Sequence, residues 1–238
     1  KKNPFVNEQV LWSVRFYAAL PLLGDAEWTP PRMQGFLSED MPQPPSTQVE
    51  RNGRRYQMSE IKSALFPAAP GALAIGRGTL RCRVPQAPRD DPADFFNQFF
   101  SGGLRTSRVS ELQTPALSLT ARPLPEEGKP AGFSGAVGDF RISAKLDAES
   151  AAVGEAVNLT VTIAGRGNIK SVGEPALGDL PQFRVFETVS ASRLSKNERG
   201  VGGSKTFKTV LVPTVSGVLE IPPIAFSYFD PVQARYAV

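Results

Sequence analysis

Apolar and polar positions alternate in two well-separated stretches of the chain. Val10, Trp12, Val14 and Phe16 are spaced two apart, with Ser13 and Arg15 among the residues between them. Val157, Leu159, Val161 and Ile163 repeat the pattern around Asn158, Thr160 and Thr162. A period of two places alternate side chains on one face of a strand, so each stretch predicts a half-buried β-strand. Phe207, Val210 and Val212, set among Thr206, Lys208 and Thr209, predict another strand, ended by Pro213. Shorter strands are predicted at "ALAI" (72–75), "ALSLTA" (116–121), "FRISAKL" (140–146) and "VLEI" (218–221).

These elements recur in order. Pro67, Gly71, Leu73 and Ile75 match Pro213, Gly217, Leu219 and Ile221, each 146 positions on. Glu8, Val10, Val14 and Phe16 match Glu155, Val157, Val161 and Ile163, each 147 positions on. A period of this length is a duplicated domain, since solenoid units repeat every ~20 to 50 residues. Alternating strands separated by Pro and Gly turns predict an all-β protein of tandem immunoglobulin-like β-sandwich domains, residues 1–126 and 133–238. The Pro- and Glu-rich run "RPLPEEGKPAGFSG" forms a short, stiff connector in which Phe133 can tuck against a domain. The C-terminal repeat starts with "DFRISAKLD" and the N-terminal one closes with "ALSLTARPLP", neither of which has a counterpart. The duplication therefore predicts one further strand before residue 1 and another after residue 238, whose absence would leave open sheet edges.

An insertion at about 85–108 breaks the symmetry. Asp91 and Pro92 are suited to the start of a short helix, and Gly102-Gly103 to its end. Within it Phe95 and Phe99, and Phe96 and Phe100, lie four apart and would form an aromatic stripe. Such a density of phenylalanine favours burial or contact with a partner, and these four residues are the first candidates for a protein-binding site.

Composition narrows the function. The chain of 238 residues contains 21 glycines and 22 prolines, with 41% hydrophobic and 21% charged residues, as expected of a turn-rich folded protein. Its net charge of +4 is dispersed, whereas nucleic-acid binding needs a concentrated basic face. There are no histidines, which excludes Ser/His/Asp and Cys/His nucleophilic systems and histidine metal ligands. Asp90, Asp91 and Asp94 cluster in sequence but read as capping or solvated residues, and no catalytic residue, metal site or cofactor is expected. "GRGT" (76–79) and "GRGN" (165–168) read as turns, because neither opens a helix nor carries the Lys and hydroxyl of a phosphate loop. Cys82, alternating with Leu80 and Val84, reads as a small buried residue, and Trp12 and Trp28 as packing residues. No apolar run approaches the ~18 residues of a membrane span.

Six segments resemble one family. They are "GRRY" (53–56), "ALFPAAPGALAI" (64–75), "DPADFFNQFF" (91–100), "ARPLPEEGKPAGFSGAVGDF" (121–140), "GRGNI" (165–169) and "IPPIAFSYFDPVQARY" (221–236). Together they resemble the extracytoplasmic region of the BatD oxygen-tolerance, or aerotolerance, family. The resemblance implies immunoglobulin-like domains on the periplasmic or extracytoplasmic face of the bacterial inner membrane, in a protein that is membrane-anchored as a whole. It implies von Willebrand factor type A domain membrane proteins as partners, and a non-enzymatic scaffold or protein-interaction role. Phe95, Phe96, Phe99 and Phe100 fall on the family's aromatic segment. Pro125, Pro130, Phe133, Gly135, Val137 and Gly138 fall on its interdomain motif and are expected to be architectural. Binding of carbohydrate or another envelope polymer, and a passive spacer role, are the alternatives.

Overall fold

A computed structural model describes residues 3–85 and 107–238. It is built from β-strands joined in antiparallel sheets, with a single 3-10 turn at Ile169–Ser171 among the described residues. Among the described residues no helix is long and apolar enough to cross a membrane.

In the N-terminal half, β1 (Val10–Ala18), β2 (Glu27–Thr29), β3 (Met33–Gln34), β4 (Phe36–Asp40), β5 (Thr47–Arg51) and β6 (Arg54–Pro67) are followed by β7 (Gly71–Ile75), β8 (Thr79–Pro85), β9 (Ser107–Gln113) and β10 (Leu117–Ala121). They form one sheet of order β1-β6-β4, with β5 also on β6, and two three-stranded sheets, β10-β7-β3 and β2-β8-β9. In the C-terminal half, β11 (Gly138–Leu146), β12 (Val157–Gly167), β13 (Phe183–Val185), β14 (Val189–Asn197) and β15 (Gly200–Pro213) form a sheet of order β11-β12-β15-β13, with β14 also on β15. β16 (Tyr228–Asp230) and β17 (Arg235–Ala237) make a hairpin.

The repeat seen in the sequence is reproduced at the level of single hydrogen bonds. Val10 lies opposite Leu65 on β1–β6, and Val157 opposite Leu211 on β12–β15. Phe36 pairs with Pro67 as Phe183 pairs with Pro213. The turn leading into β1 and the turn leading into β12 are also the same. Asn7 N–H donates to the Pro67 carbonyl at 2.9 Å and Gly154 N–H to that of Pro213 at 3.0 Å. In these turns the Glu8 carboxylate accepts from Phe5 N–H, and that of Glu155 from Ala152 N–H, each at 2.8 Å. Asn7 and Gly154 have φ of 60° and 87°, a left-handed geometry open to asparagine and glycine with little strain.

Each half has its own core. Trp12, Leu65 and Ile75 are buried together, with Val14, Trp28, Met33 and Phe36 packed against them. In the C-terminal half the inward row of β12, Leu159, Val161 and Ile163, meets Phe140, Phe207, Leu211 and Phe226. Cys82 is buried on β8, while Arg81 and Arg83 on either side are exposed, as the alternation predicts.

Two segments depart from the sequence expectation. "VLEI" (218–221) forms no strand, although its counterpart β7 does. β7 is held by β10 on one edge and β3 on the other, and residues 217–221 have no such ladder among the described residues. The glycines of "GRGN" do not form a turn but continue β12 through Gly167. There the Phe140 ring of β11 comes close to Gly165 and Gly167, where any Cβ would collide with Phe140 or with the backbone of Val137 to Phe140.

Candidate functional site

The aromatic candidates Phe95, Phe96, Phe99 and Phe100 lie outside the described residues. The strands on either side of them are β8 and β9. Pro85 pairs with Ser107 at the end of the β8–β9 ladder, so segment 86–106 joins two directly opposed positions. The equivalent place in the C-terminal half is the short connection from Asp230 to Arg235, where the Asp230 carboxylate accepts from Val232 N–H at 2.8 Å and Gln233 N–H at 3.1 Å. Pro85 and Pro231 are again 146 positions apart, which places the insertion at a hairpin tip that the other repeat closes with a tight turn. Beside this hairpin, Leu112 and Leu117 are exposed and line a shallow concavity of about 350 Å³ with Trp12, Trp28 and Leu80.

Residues of the connector converge on one cluster. Val137 is fully buried with Phe5 and Phe229, and Phe133, Leu124 and Tyr236 pack around them. The rings meet edge to face: Phe5 and Phe229 at 4.7 Å, Phe229 and Tyr236 at 5.1 Å, Phe133 and Tyr236 at 5.0 Å. The Tyr236 hydroxyl donates to the Pro125 carbonyl at 2.6 Å, and burial pushes its pKa up. The Pro130 carbonyl accepts from Phe133 N–H at 3.0 Å, closing the turn that aims the Phe133 ring. The Gly135 carbonyl accepts from the Asn7 side chain at 3.5 Å, and Gly138, with φ of 151°, passes so close to the Arg166 carbonyl that no Cβ fits. Arg122, at the end of β10, lays its guanidinium over the Phe5 ring at 3.9 Å.

A second contact between the halves was not anticipated. Val201, near the start of β15, is buried against Met41, Ala64 and Phe66 of the N-terminal half. Its N–H donates to the Gln9 side chain. Next to it, Lys170 and Lys196 both bind the Glu39 carboxylate, the latter at 3.0 Å, and Lys196 also donates to the Asp40 carbonyl at 2.7 Å. The hydrogen bond from Lys170, aided by Lys196, holds the Glu39 pKa below the usual carboxylate range against the opposing effect of burial. The repeat carries no trace of this contact, because it pairs residues of one copy with non-equivalent residues of the other.

Among the described residues no group of His, Cys, Asp and Glu could hold a metal ion. Every buried side-chain polar atom there has a hydrogen-bond partner, so none is left aimed at a missing ligand.

The architecture is that of an all-β protein with two repeat copies, whose distinctive surfaces are contacts between sheets and hairpins. Within it, residues 144–237 match the family model described as BatD DUF11 like domain, so a domain of that type occupies most of the C-terminal half. No curated protein and no solved structure matched the chain.

Proposed function

We propose that the chain is a non-enzymatic scaffold of the bacterial cell envelope, made of two immunoglobulin-like β-sandwiches at 1–126 and 133–238 and associated with the Bat system and oxygen tolerance. It works on the periplasmic or extracytoplasmic face of the inner membrane and binds membrane proteins with von Willebrand factor type A domains. The observation that carries this reading is the double fastening of the halves. Val137 with its aromatic neighbours beside the start of β11, and Val201 with the Glu39 lysine pair at the start of β15, fasten the same end of the C-terminal sheet to the N-terminal half at two strands and restrain the halves from turning independently. A rigid pair of sheets presents surfaces at fixed separation, which is what a scaffold needs. The match of residues 144–237 to the BatD DUF11 like domain supports the same reading.

Pro125, Pro130, Phe133, Gly135, Val137 and Gly138 are assigned the architectural role, and Phe95, Phe96, Phe99 and Phe100 partner contact from the β8–β9 hairpin tip. Crosslinking pull-down from native membranes with the full-length anchored protein tests both assignments. Unmodified bait should recover a von Willebrand factor type A membrane protein, and a folded Phe96→Asp/Phe99→Asp bait should not. Equal recovery by both would move the contact away from the aromatic segment; no protein recovery by either would sink the scaffold reading.

A further inference from the structure

The β5–β6 hairpin and the β14–β15 hairpin are one element in two copies. Arg51 faces Arg54 at the tip of the first, and Asn197 faces Gly200 at the tip of the second, in each case 146 positions apart. The second copy is docked. Gly200, Val201 and Gly202 are buried, Val201 against the outer face of β6, and Lys196 reaches the Glu39 carboxylate and the Asp40 carbonyl on β4. The molecule therefore contains a worked example of how this hairpin binds, with its tip on the outer face of a sheet beside an acidic strand; Glu50 stands where the docked copy has Lys196, so the cations of the first copy are those of its tip, Arg51, Arg54 and Arg55.

The first copy is not docked in this way on any described residue. Residues 51 to 55 are all exposed. Where the docked hairpin carries Gly200, Val201 and Gly202, this one carries Arg54, Arg55 and Tyr56. The Arg51 guanidinium lies 4.6 Å over the Tyr17 ring, and that of Arg54 is 5.9 Å from the Tyr56 ring. The two rings meet edge to face at 6.3 Å. Stacking holds the guanidiniums in place while their N–H groups stay open to a carboxylate, which lowers the ordering cost of binding. None of Arg51, Arg54 and Arg55 forms an ion pair with a described residue. Beside them, Ser46, Gln48, Tyr56 and Gln57 help to line an open concavity of about 650 Å³.

We propose that the β5–β6 hairpin is a docking arm for a second protein, and that this partner presents an acidic strand on the outer face of a β-sheet, as β4 with its Glu39 carboxylate does for the β14–β15 hairpin. The inference rests on the scaffold reading and supplies a contact additional to the aromatic insertion. Arginines in place of glycine and valine make the contact more electrostatic than the internal one, so it weakens with salt.

The test is a photo-crosslinking amino acid at Asn52, at the arm's tip, in the full-length protein in its native membrane, with exposed Lys145 as the control position. The expected adduct is a peptide of another protein carrying at least two carboxylates in one strand. It should fall about tenfold or more in an Arg51→Glu/Arg54→Glu/Arg55→Glu variant that still unfolds in one cooperative transition, and survive in the triple lysine variant. An adduct no stronger than from Lys145, one on lipid, glycan or a second copy of this chain, one on a peptide without carboxylates, or one that the glutamate variant retains would each overturn the proposal. If the Asn52 adduct fails while the pull-down still recovers a partner, the arm is wrong and the scaffold stands; if both fail, both are wrong.

Discussion

Glu39 shows how one side chain comes to hold two repeats together. Its carboxylate is mostly shielded and takes hydrogen bonds from Lys170 and Lys196, which depress its pKa. A carboxyl group with a depressed folded-state pKa adds stability above its unfolded value near ~4.3, and that contribution is lost as pH falls through the folded pKa. Glu39→Gln should therefore lower the melting temperature at pH 7 and flatten its decline below about pH 4.5, as followed by calorimetry across pH. An equally steep acid limb in the variant would place the acid sensitivity elsewhere, for example at Glu60, which burial opposes but Lys62 and Arg15 keep ionised. Gly165 makes a different point. A side chain there would strike the Asp139 carbonyl and the Phe140 ring, so Gly165→Ala should cost about 1–3 kcal/mol in denaturant unfolding. Burial of Trp12 and Cys82 was readable because alternation along one strand fixes which face a residue takes. The Glu39 contact was not, because its partners lie 131 and 157 residues away and meet it only once the halves have packed.

At the scale of elements, the turn that precedes β1 and β12 is the clearest product of the duplication. Glu8 and Glu155 serve the same role, each accepting from the N–H three residues back, but Glu8 is buried and Glu155 exposed. A hydrogen bond to a charged group contributes about 1.5–3 kcal/mol when shielded and less in water. Glu8→Ala should thus destabilise the protein more than Glu155→Ala, measured by equilibrium denaturation; equal losses would mean that burial adds nothing to the turn. The spacing of Glu8 and Glu155 from Val10 and Val157 made this element legible in the sequence. The failure at 218–221 has the opposite origin. Strand propensity is satisfied there, yet a strand exists only through its neighbour, and sequence alternation cannot name the neighbour. The "GRGN" glycines misled for a related reason: glycine suits both a turn and the close approach of another backbone, and only the position of Phe140 decides between them.

At the scale of the molecule, the contacts between the halves run along one end of the C-terminal sheet, at Val137 beside β11 and at Val201 on β15 with β12 between them, and two fastened strands resist rotation more than one would. The connector cluster was partly visible in the sequence, since Phe133 is an aromatic residue stranded in a Pro- and Gly-rich run. The Val201 contact was invisible, because valine beside a hairpin tip looks like any other strand residue until the opposing face of Met41, Ala64 and Phe66 is in place. The aspartate of Val201→Asp would put a carboxylate among those apolar side chains and beside the Gln9 acceptor, at a cost exceeding the ~1.5–3 kcal/mol that burying one valine contributes. The adjacent lysine pair cannot offset this, since its cations are already engaged with Glu39 and are partly solvated. The variant should open the hairpin side while the Phe5–Phe229 side stays closed. Small-angle scattering should then give a larger radius of gyration with both halves still folded, and thermal unfolding should split into two transitions. A variant that keeps the parent's scattering profile and unfolds in one step would mean that the connector cluster alone fixes the geometry, and that the docked hairpin contributes packing without rigidity.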